Sequence, residues 1–297
     1  MNRSSHSKMS SKPLGRAKAA LKRPLEKAAG IAAQRDALAD KTSPATKAAL
    51  RSLYLGYRRQ LTAGEPLPSV WETGLRVFSQ YDEDGVILFL LAVLGTGTRR
   101  FVDLGAADGL RASNTANLAL NFGFDGVFVE SRGSDVADGV RFYESHPDTS
   151  ASPPRFVCDW ITRENVNALV SGAGFTGEVD LLSIDVDGND YWIWEALDCV
   201  EPRLVVIETH TELGKEDFIA PYDPAFDWRE APPGARIGAS PAAMTRLAAE
   251  RGYRPVGANL YGFNVIYARE DVIGEVLPVV ELDELFRHGS YLRGATP

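Results

Sequence analysis

Acidic residues stand at the ends of five predicted strands in this chain of 297 residues. In an open α/β sheet, ligands bind outside the carboxyl ends of the strands, so these are the positions where chemistry is expected. One polar residue at a strand end is common, but five in succession indicate a ligand site along one sheet edge. The five residues are Asp103, Glu130, Asp159, Asp185 and Glu208.

The turn after the first of these strands, Asp103-Leu-Gly-Ala-Ala-Asp-Gly109, indicates the kind of ligand. A dinucleotide site has the pattern Gly-x-Gly-x-x-Gly, which brings backbone and helix N-terminus to a pyrophosphate. Here Ala107 replaces the second glycine, and Asp103 and Asp108 bring negative charge. Two carboxylates repel a pyrophosphate and suit the cationic sulfonium and amino groups of S-adenosylmethionine. The alternative is a tight turn that binds no ligand.

Other residues of this edge suit the remaining parts of that cofactor. Gly105 would let the backbone approach the amino-acid portion closely. Glu130 could accept both ribose hydroxyls, and Asp159 the adenine amino group, with Trp160 as an apolar neighbour of the ring. The predicted cofactor-binding residues are Asp103, Gly105, Asp108, Gly109, Ser113, Asn114, Glu130, Asp159 and Trp160.

A second group of polar residues, Asp185-Val-Asp-Gly-Asn-Asp190 and Glu208-Thr-His210, follows two later strands. Carboxylate oxygens suit a hard cation, and we predict Asp185, Asp187 and Glu208 as ligands of an optional Mg²⁺. Asp185 and His210 are the predicted catalytic residues, because imidazole titrates near working pH and can accept a hydroxyl proton.

Three other interpretations of this second group stay open. Asp187 and Asp190 could cap the following helix, where acidic residues favour the positive end. His210 could be a hydrogen-bonded residue at a strand end. A calcium loop of the EF-hand type fits poorly, because the glycine is one position early and no Glu stands at position 12.

The elements that must position these residues alternate between helix and buried strand beyond residue 70. Strands are predicted at 101–104, 126–130, 155–158, 179–185, 203–208, 253–256 and 261–267. Helices are predicted at 82–94, 110–122, 162–170, 191–197 and 241–251. This alternation predicts a Rossmann-like α/β fold with a mostly parallel seven-stranded sheet. The last two strands have a short connection containing Gly257, so they must form an antiparallel hairpin.

A long segment, 218–239, separates a strand from the helix that Ser240 and Pro241 begin. Loops of this length are usually functional lids or binding loops. Its aromatic residues Tyr222, Phe226 and Trp228 could stack against a sugar face, or they could pack the loop onto the body.

The formal charge of −8 is distributed unevenly. Residues 1–60 contain 14 Lys and Arg against 3 Asp and Glu, and the rest contains 18 against 37. We therefore expect a basic, partly disordered helical extension over 1–62 and a catalytic domain over 70–297. The extension has disorder over 1–13, a helix over 14–38 interrupted at Pro24, and a second helix over 45–60 that Ser43 caps.

The composition of the chain also indicates its expected compartment and partners. No apolar run is long enough to span a bilayer, and the basic N-terminus lacks the apolar stretch of a secretory signal, so a cytoplasmic protein is expected. Cys158 and Cys199 are expected to be buried free thiols. The basic arm suits an anionic surface, whereas the acidic body disfavours nucleic acid. A homo-oligomer is left open.

The motifs resemble a known family. Phe101-Val-Asp-Leu-Gly-Ala-Ala-Asp-Gly109 resembles motif I of class I methyltransferases. Ser79-Gln-Tyr-Asp-Glu-Asp-Gly85, Ser113-Asn-Thr115, the stretch from Asn121 to Glu130, and Ser183-Ile-Asp-Val-Asp-Gly-Asn-Asp190 resemble the FkbM-like branch. The resemblance covers roughly residues 75–270. Where that branch usually has Asp-x-Glu-Gly, this chain has Asp185-Val-Asp-Gly188.

The resemblance implies O-methylation, often of sugar or polyketide-linked hydroxyls. The sequence hypothesis is therefore an S-adenosylmethionine-dependent O-methyltransferase whose acceptor is a carbohydrate, a glycosylated metabolite or another small molecule. Two alternatives remain open, a methyltransferase acting on nitrogen or carbon and a non-catalytic binding protein on the same fold.

Overall fold

Seven strands form one mixed sheet in the order β3-β2-β1-β4-β5-β7-β6. A computed structural model describes residues 38–274 and 276–288. The strands are β1 (Arg100–Leu104), β2 (Asp125–Glu130), β3 (Arg155–Cys158), β4 (Gly177–Ile184), β5 (Val200–Glu208), β6 (Tyr253–Ala258) and β7 (Asn264–Arg269). The disorder predicted over 1–13, the basic arm and the helix up to Pro24 and beyond lie outside the described residues.

Strands β1 to β5 are parallel, and β7 is antiparallel to both β5 and β6. The middle strands contain continuous apolar runs because both of their faces are buried, as in β5, where Leu204 to Ile207 are all buried. This order and direction confirm the predicted Rossmann-like class I methyltransferase fold. The strand order reverses between β1 and β4, which opens a crevice at their carboxyl ends.

Six of the described helices overlap predicted spans, whereas those at Gly133–Ser145, Glu270–Ile273 and Leu282–His288 were not predicted. The described helices are α1 (Pro44–Ala63), α2 (Glu83–Leu94), α3 (Ala116–Phe122), α4 (Gly133–Ser145), α5 (Val166–Gly172), α6 (Asp190–Ala196), α7 (Pro241–Glu250), α8 (Glu270–Ile273) and α9 (Leu282–His288). The Ser240 hydroxyl accepts from Ala243 N and begins α7, and the Ser43 hydroxyl accepts from Thr46 N at the start of α1. Both predicted N-caps are confirmed.

Two helices begin later than predicted, since α5 starts at Val166 rather than at 162 and α3 starts at Ala116 rather than at 110. The helix expected from Leu110 starts only at Ala116, because the residues before it are held in a turn. The Asp108 carboxylate accepts from the backbone N–H groups of Leu110 and Arg111, at 3.0 and 2.8 Å. The Ser113 hydroxyl then accepts from Ala116 N at 3.0 Å and starts the helix.

The final hairpin is antiparallel as predicted, but Gly257 does not lie in its turn. Gly257 is inside β6 at an irregularity of the pairing, and residues 259–263 make the connection. A Cβ at Gly257 would approach Val70 Cγ2 to 2.9 Å, so packing explains the glycine here.

The chain divides into two compact units, residues 1–48 and 49–297. The expectation of two buried thiols is wrong, because Cys158 is exposed at the end of β3 and Cys199 is half-buried in the bend before β5. Within the described part of the chain, no helix combines the length and apolar character that crossing a membrane requires.

Candidate active site

The main chain at Gly105 and Asp185 forms the floor of the crevice between β1 and β4. Gly105 N donates to Val129 O, and Asp185 N donates to Leu104 O, each at 2.9 Å. Gly105 has a φ of +84°, and a Cβ there would collide with the Asp185 carbonyl oxygen. Glycine is therefore required for close packing of two protein loops, in addition to any approach by a ligand.

Asp103 lies buried beneath the loop that follows β1. Its Oδ2 accepts from Thr115 Oγ1 at 2.6 Å. Burial raises the pKa of Asp103 to about 6, although hydrogen bonds from Thr115 and Ser183 oppose the shift. Beside it, Asn114 Nδ2 donates to Ser183 Oγ at 3.3 Å, while Asn114 Oδ1 is buried without a hydrogen-bond partner among the described residues. These two oxygen-bearing side chains suit a cationic amino group.

Two predicted cofactor residues are instead engaged in contacts within the protein. Asp108 Oδ2 pairs with Arg111 Nε at 2.6 Å, so its charge is compensated within the turn. Gly109 packs against the Phe128 ring, and its carbonyl accepts from Tyr143 Oη at 2.7 Å. Of the two negative charges expected at this turn, only Asp103 lacks a cationic partner among the described residues.

Glu130 lines the crevice at the end of β2. Its Oε2 accepts from Ala107 N at 2.9 Å, and its Oε1 accepts from Arg132 N at 2.8 Å. The carboxylate therefore faces the pocket in a fixed orientation.

A pocket extends from Gly105 along the ends of β2, β3 and β4. The predicted residues Trp160, Asp185 and Asp187 lie in its wall. Asp159 is exposed outside the pocket, where it accepts from Trp160 N. Phe226 and Trp228 of the long loop also line the pocket, and the lining residues that the sequence analysis did not assign are Ser131, Arg132, Ile161, Val186, Asn189, Asp227 and Arg229. The first three of these unassigned residues directly follow strand-end positions, so a search two or three residues past each strand would have found them.

The loop between β4 and α6 has a strained backbone that Asp190 holds in place. Asp187 has a φ of +55°, in the left-handed region that non-glycine residues rarely adopt. The Asp190 carboxylate accepts from the N–H groups of Val186 and Gly188, both at 2.9 Å. Neither Asp187 nor Asp190 is the N-cap residue of α6, but Asp190 lies in its first turn, where an acidic residue favours the positive end of the helix.

The three predicted metal ligands do come together. Asp185, Asp187 and Glu208 each offer an oxygen atom, and these atoms lie within 4.8 Å of one another. Burial, reinforced by the neighbouring carboxylates, raises the pKa of Asp185 to about 8 and that of Glu208 well above its ordinary value. No described residue donates a hydrogen bond to the carboxylates of Asp185 or Glu208. Clustered carboxylates of this kind fit a hard divalent cation.

His210 lies at the edge of this cluster rather than in the pocket wall. Its Nδ1 is 2.8 Å from Glu212 Oε1. Its Nε2 is buried without a hydrogen-bond partner among the described residues, and the ring lies directly against Gly238.

A buried carboxylate that the sequence analysis missed borders the cluster. Glu83 Oε1 accepts from Asn259 Nδ2 and Asn264 Nδ2, at 2.8 and 2.9 Å. Asn264 pairs with Glu208 across β5 and β7, and the charge of Glu83 contributes to the raised pKa of Asp185. Its sequence motif, Ser79-Gln-Tyr-Asp-Glu-Asp-Gly85, carried part of the family resemblance and was a usable signal.

The aromatic residues of the long loop separate into two groups. Tyr222 bonds to Glu164 and Arg163 N, and Phe226 packs against Gly188, so both hold the loop on the body. Trp228 remains 47% exposed in the pocket wall. The alternative in which the aromatic residues pack the loop onto the body therefore holds for Tyr222 and Phe226.

No protein-family model matches the chain, and no curated protein matches it. Solved structures to which it is similar include an S-adenosylmethionine-dependent methyltransferase from Clostridium acetobutylicum, at 15% identity, with a TM-score of 0.30. That alignment covers 46% of this chain and 55% of that one.

Two longer alignments are with methyltransferases whose structures hold a cofactor or its product. Magnesium protoporphyrin IX methyltransferase from Synechocystis, with bound SAM, shares 16% identity over 71% of this chain and 89% of that one, with a TM-score of 0.39. An O-methyltransferase from Bacillus cereus, in complex with SAH, shares 12% over 73% and 89%, with a TM-score of 0.40. The strand order of the chain itself is what establishes its class I methyltransferase fold.

Proposed function

We propose that the protein is an S-adenosylmethionine-dependent O-methyltransferase that acts on a hydroxyl of a carbohydrate or glycosylated metabolite. The observation that carries the proposal is a crevice at the β1–β4 switch point with Asp103 and Glu130 on one side and a carboxylate cluster on the other. A cationic cofactor would bind beside Asp103 and Glu130, and the carboxylate cluster would bind and deprotonate a hydroxyl acceptor next to it.

Several residues would hold the cofactor. Asp103 and Asn114 supply acceptors for the methionine amino group, and Gly105 leaves the floor of the crevice free of a side chain. The Glu130 carboxylate suits the ribose hydroxyls. Trp160 and Ile161 provide an apolar surface for the purine ring.

Asp185, Asp187 and Glu208 would hold a divalent cation such as Mg²⁺. When bound, the cation would lower the pKa of an acceptor hydroxyl and orient it. Their raised pKa values in the free protein follow from burial and mutual repulsion, which a bound cation would relieve.

Methyl transfer itself needs alignment and removal of one proton. A bond forms between the acceptor oxygen and the methyl carbon as the sulfur–methyl bond breaks, and the hydroxyl proton passes to a base. Asp185 is placed for that role at the pocket wall. His210 could serve as base from the other side of the cluster after its ring turns away from Gly238.

The acceptor side is proposed to lie toward β5 and β7, because the pocket described above occupies the β2–β4 side. There Tyr81, Tyr261 and Phe263 form a half-exposed group that we call the aromatic platform. The Tyr81 ring centroid lies 4.2 Å from that of Tyr261 and 5.7 Å from that of Phe263. Phe263 O accepts from Thr209 N, next to Glu208. Aromatic rings beside carboxylates suit a sugar, whose C–H face and hydroxyls need both.

Transfer of a labelled methyl group from S-adenosylmethionine to a panel of hydroxylated glycans, with Mg²⁺ or with EDTA, tests the proposal. The panel includes amines and phenols as controls for acceptor type. Transfer to a glycan that releases S-adenosylhomocysteine supports it. Exclusive transfer to amines contradicts the O-methyltransferase assignment. Full activity in EDTA contradicts the proposed role of a divalent cation.

A further inference from the structure

We infer that residues 220–230, which we call the strap, complete the adenosine subsite and that Trp228 forms one aromatic wall against the purine ring. The inference rests on the proposed function, because it assigns part of that cofactor site to a segment distant in sequence.

The strap is fastened to the two loops that frame the pocket. Trp192 Nε1 donates to Ala220 O at 2.9 Å, and Asn189 Nδ2 donates to Asp223 O at 2.8 Å. Trp160 Nε1 donates to Pro224 O at 2.8 Å. Side chains of the β3–α5 loop, the β4–α6 loop and α6 therefore bind the strap backbone directly, and one of them, Trp160, is itself a wall of the pocket.

These fastenings bring Trp228 to the strand ends that suit adenosine. It lines the same pocket as Glu130 and Ile161, at the ends of β2 and β3. The indole lies beside the Asp187 carboxylate, where it opposes the rise in the pKa of that carboxyl that burial causes. The Arg229 guanidinium carbon lies 5.4 Å from the centroid of the Trp228 ring, and Trp228 remains 47% exposed.

Both tryptophans of the pocket leave a large apolar surface open to solvent. Trp160 is 40% exposed and Trp228 is 47% exposed. Burying such surface against a flat ring is favourable, and stacking on a nucleobase adds to the gain. A purine is the flat apolar part of the proposed cofactor, so it fits this wall.

The acceptor is the competing occupant of this surface. The aromatic platform and Glu208 do not line this pocket, whereas Glu130, Ser131 and Arg132 do. The polar groups next to Trp228 are therefore those that suit ribose.

The test measures binding of S-adenosylhomocysteine and methylthioadenosine by calorimetry to the full chain and to Trp228→Ala and Trp228→Phe. Base–aromatic stacking predicts that Trp228→Ala weakens both ligands about 5- to 100-fold, by similar factors, because both carry the purine. Trp228→Phe should restore most of the affinity. Tyr261→Ala, on the acceptor side, is the matched control and should leave both affinities unchanged.

Distinct results separate this inference from the proposed function. If the unaltered protein binds S-adenosylhomocysteine and Trp228→Ala changes neither Kd by more than about twofold, the inference alone is overturned. The same holds if Trp228→Ala instead raises only the KM of the acceptor. Failure of the unaltered protein to bind either adenosine compound overturns the proposed function and the inference with it. Melting curves of the variants check folding, which an exposed side chain should barely affect.

Discussion

The backbone of Gly105 lies so close to the Asp185 carbonyl oxygen that no Cβ fits between them. This contact joins the loop after β1 to the loop after β4, and so it sets the relative position of the cofactor side and the carboxylate cluster. Glycine is therefore required at position 105 for two reasons, its left-handed backbone and the lack of space for a Cβ.

We expect Gly105→Ala to lower the free energy of unfolding by about 2–4 kcal/mol, from the left-handed backbone and the steric clash together. S-adenosylhomocysteine binding should be lost as the loops separate. Gly123→Ala is the control, because Gly123 has a φ of +66° with open space around it and should lose only about 1–2 kcal/mol. Chemical denaturation and calorimetry measure both quantities. Equal destabilisation by the two changes would contradict the steric argument.

Affinity for the cationic cofactor should depend on pH through Asp103. Its pKa is raised to about 6, so the carboxylate is charged above that pH and neutral below it. We expect the Kd of S-adenosylmethionine to be constant above about pH 7 and to rise about tenfold by pH 5. The same shift stabilises the folded protein below the ordinary pKa of an Asp, and this stabilisation is lost as pH rises through about 6. Asp103→Asn should flatten the binding profile, whereas exposed Asp138→Asn should not.

Divalent cations should stabilise the protein at alkaline pH. Because the pKa of Asp185 is raised to about 8, its contribution to stability is lost as the carboxyl ionises through that pH. Mg²⁺ at about 100 times its Kd should restore about 2.7 kcal/mol, equivalent to about 5–10 °C in Tm. Scanning calorimetry near pH 8 measures the shift. Glu208→Gln should reduce it and Glu212→Gln should not; an unchanged shift in Glu208→Gln would exclude that ligand.

His210→Ala should separate catalysis from cofactor binding. As a general base, His210 would contribute at least about 100-fold to kcat, while the Kd of S-adenosylhomocysteine stays unchanged. Steady-state kinetics and calorimetry give the two values. A loss of cofactor affinity, or a kcat within about threefold of that of the unaltered protein, would show that His210 has a structural role, in which its ring packs against Gly238.

Tyr261→Ala should raise the KM for the acceptor about 2- to 10-fold, which is the range expected for one aromatic contact, and should leave kcat little changed. Kinetics with the acceptor identified in the transfer assay measure it. Leu260→Ala, a neighbouring exposed apolar residue, provides the comparison. An equal effect of both changes would assign the loss to the turn rather than to the platform.

The fold was predictable because its signals are local. Buried strands contain apolar runs, as in Leu204 to Ile207, and helices begin at capping residues such as Ser240. The sequence also predicts that the carboxylates at the strand ends lie close together, because the carboxyl ends of parallel strands meet at one edge of the sheet. Asp185 and Glu208 follow neighbouring strands, and the structure places them within reach of a shared cation.

The less predictable parts depend on contacts between distant segments. Asp108 was assigned to the cofactor by its place in the turn, but its hydrogen bonds to Leu110 N and Arg111 hold the turn itself. The path of the strap depends on Trp192, Asn189 and Trp160, which precede their partners by 28, 34 and 64 residues. No local pattern indicates such pairings, so the position of Trp228 emerges only in three dimensions.

Asp187 belongs to both halves of the site, since it lines the pocket together with Trp228 and offers an oxygen to the carboxylate cluster. Two ligands that share one side chain cannot bind independently. Thermodynamic linkage requires that a cation changing the affinity for the cofactor by some factor has its own affinity changed by the cofactor by the same factor. In the proposed enzyme, the strained backbone at this one residue would therefore couple two binding equilibria.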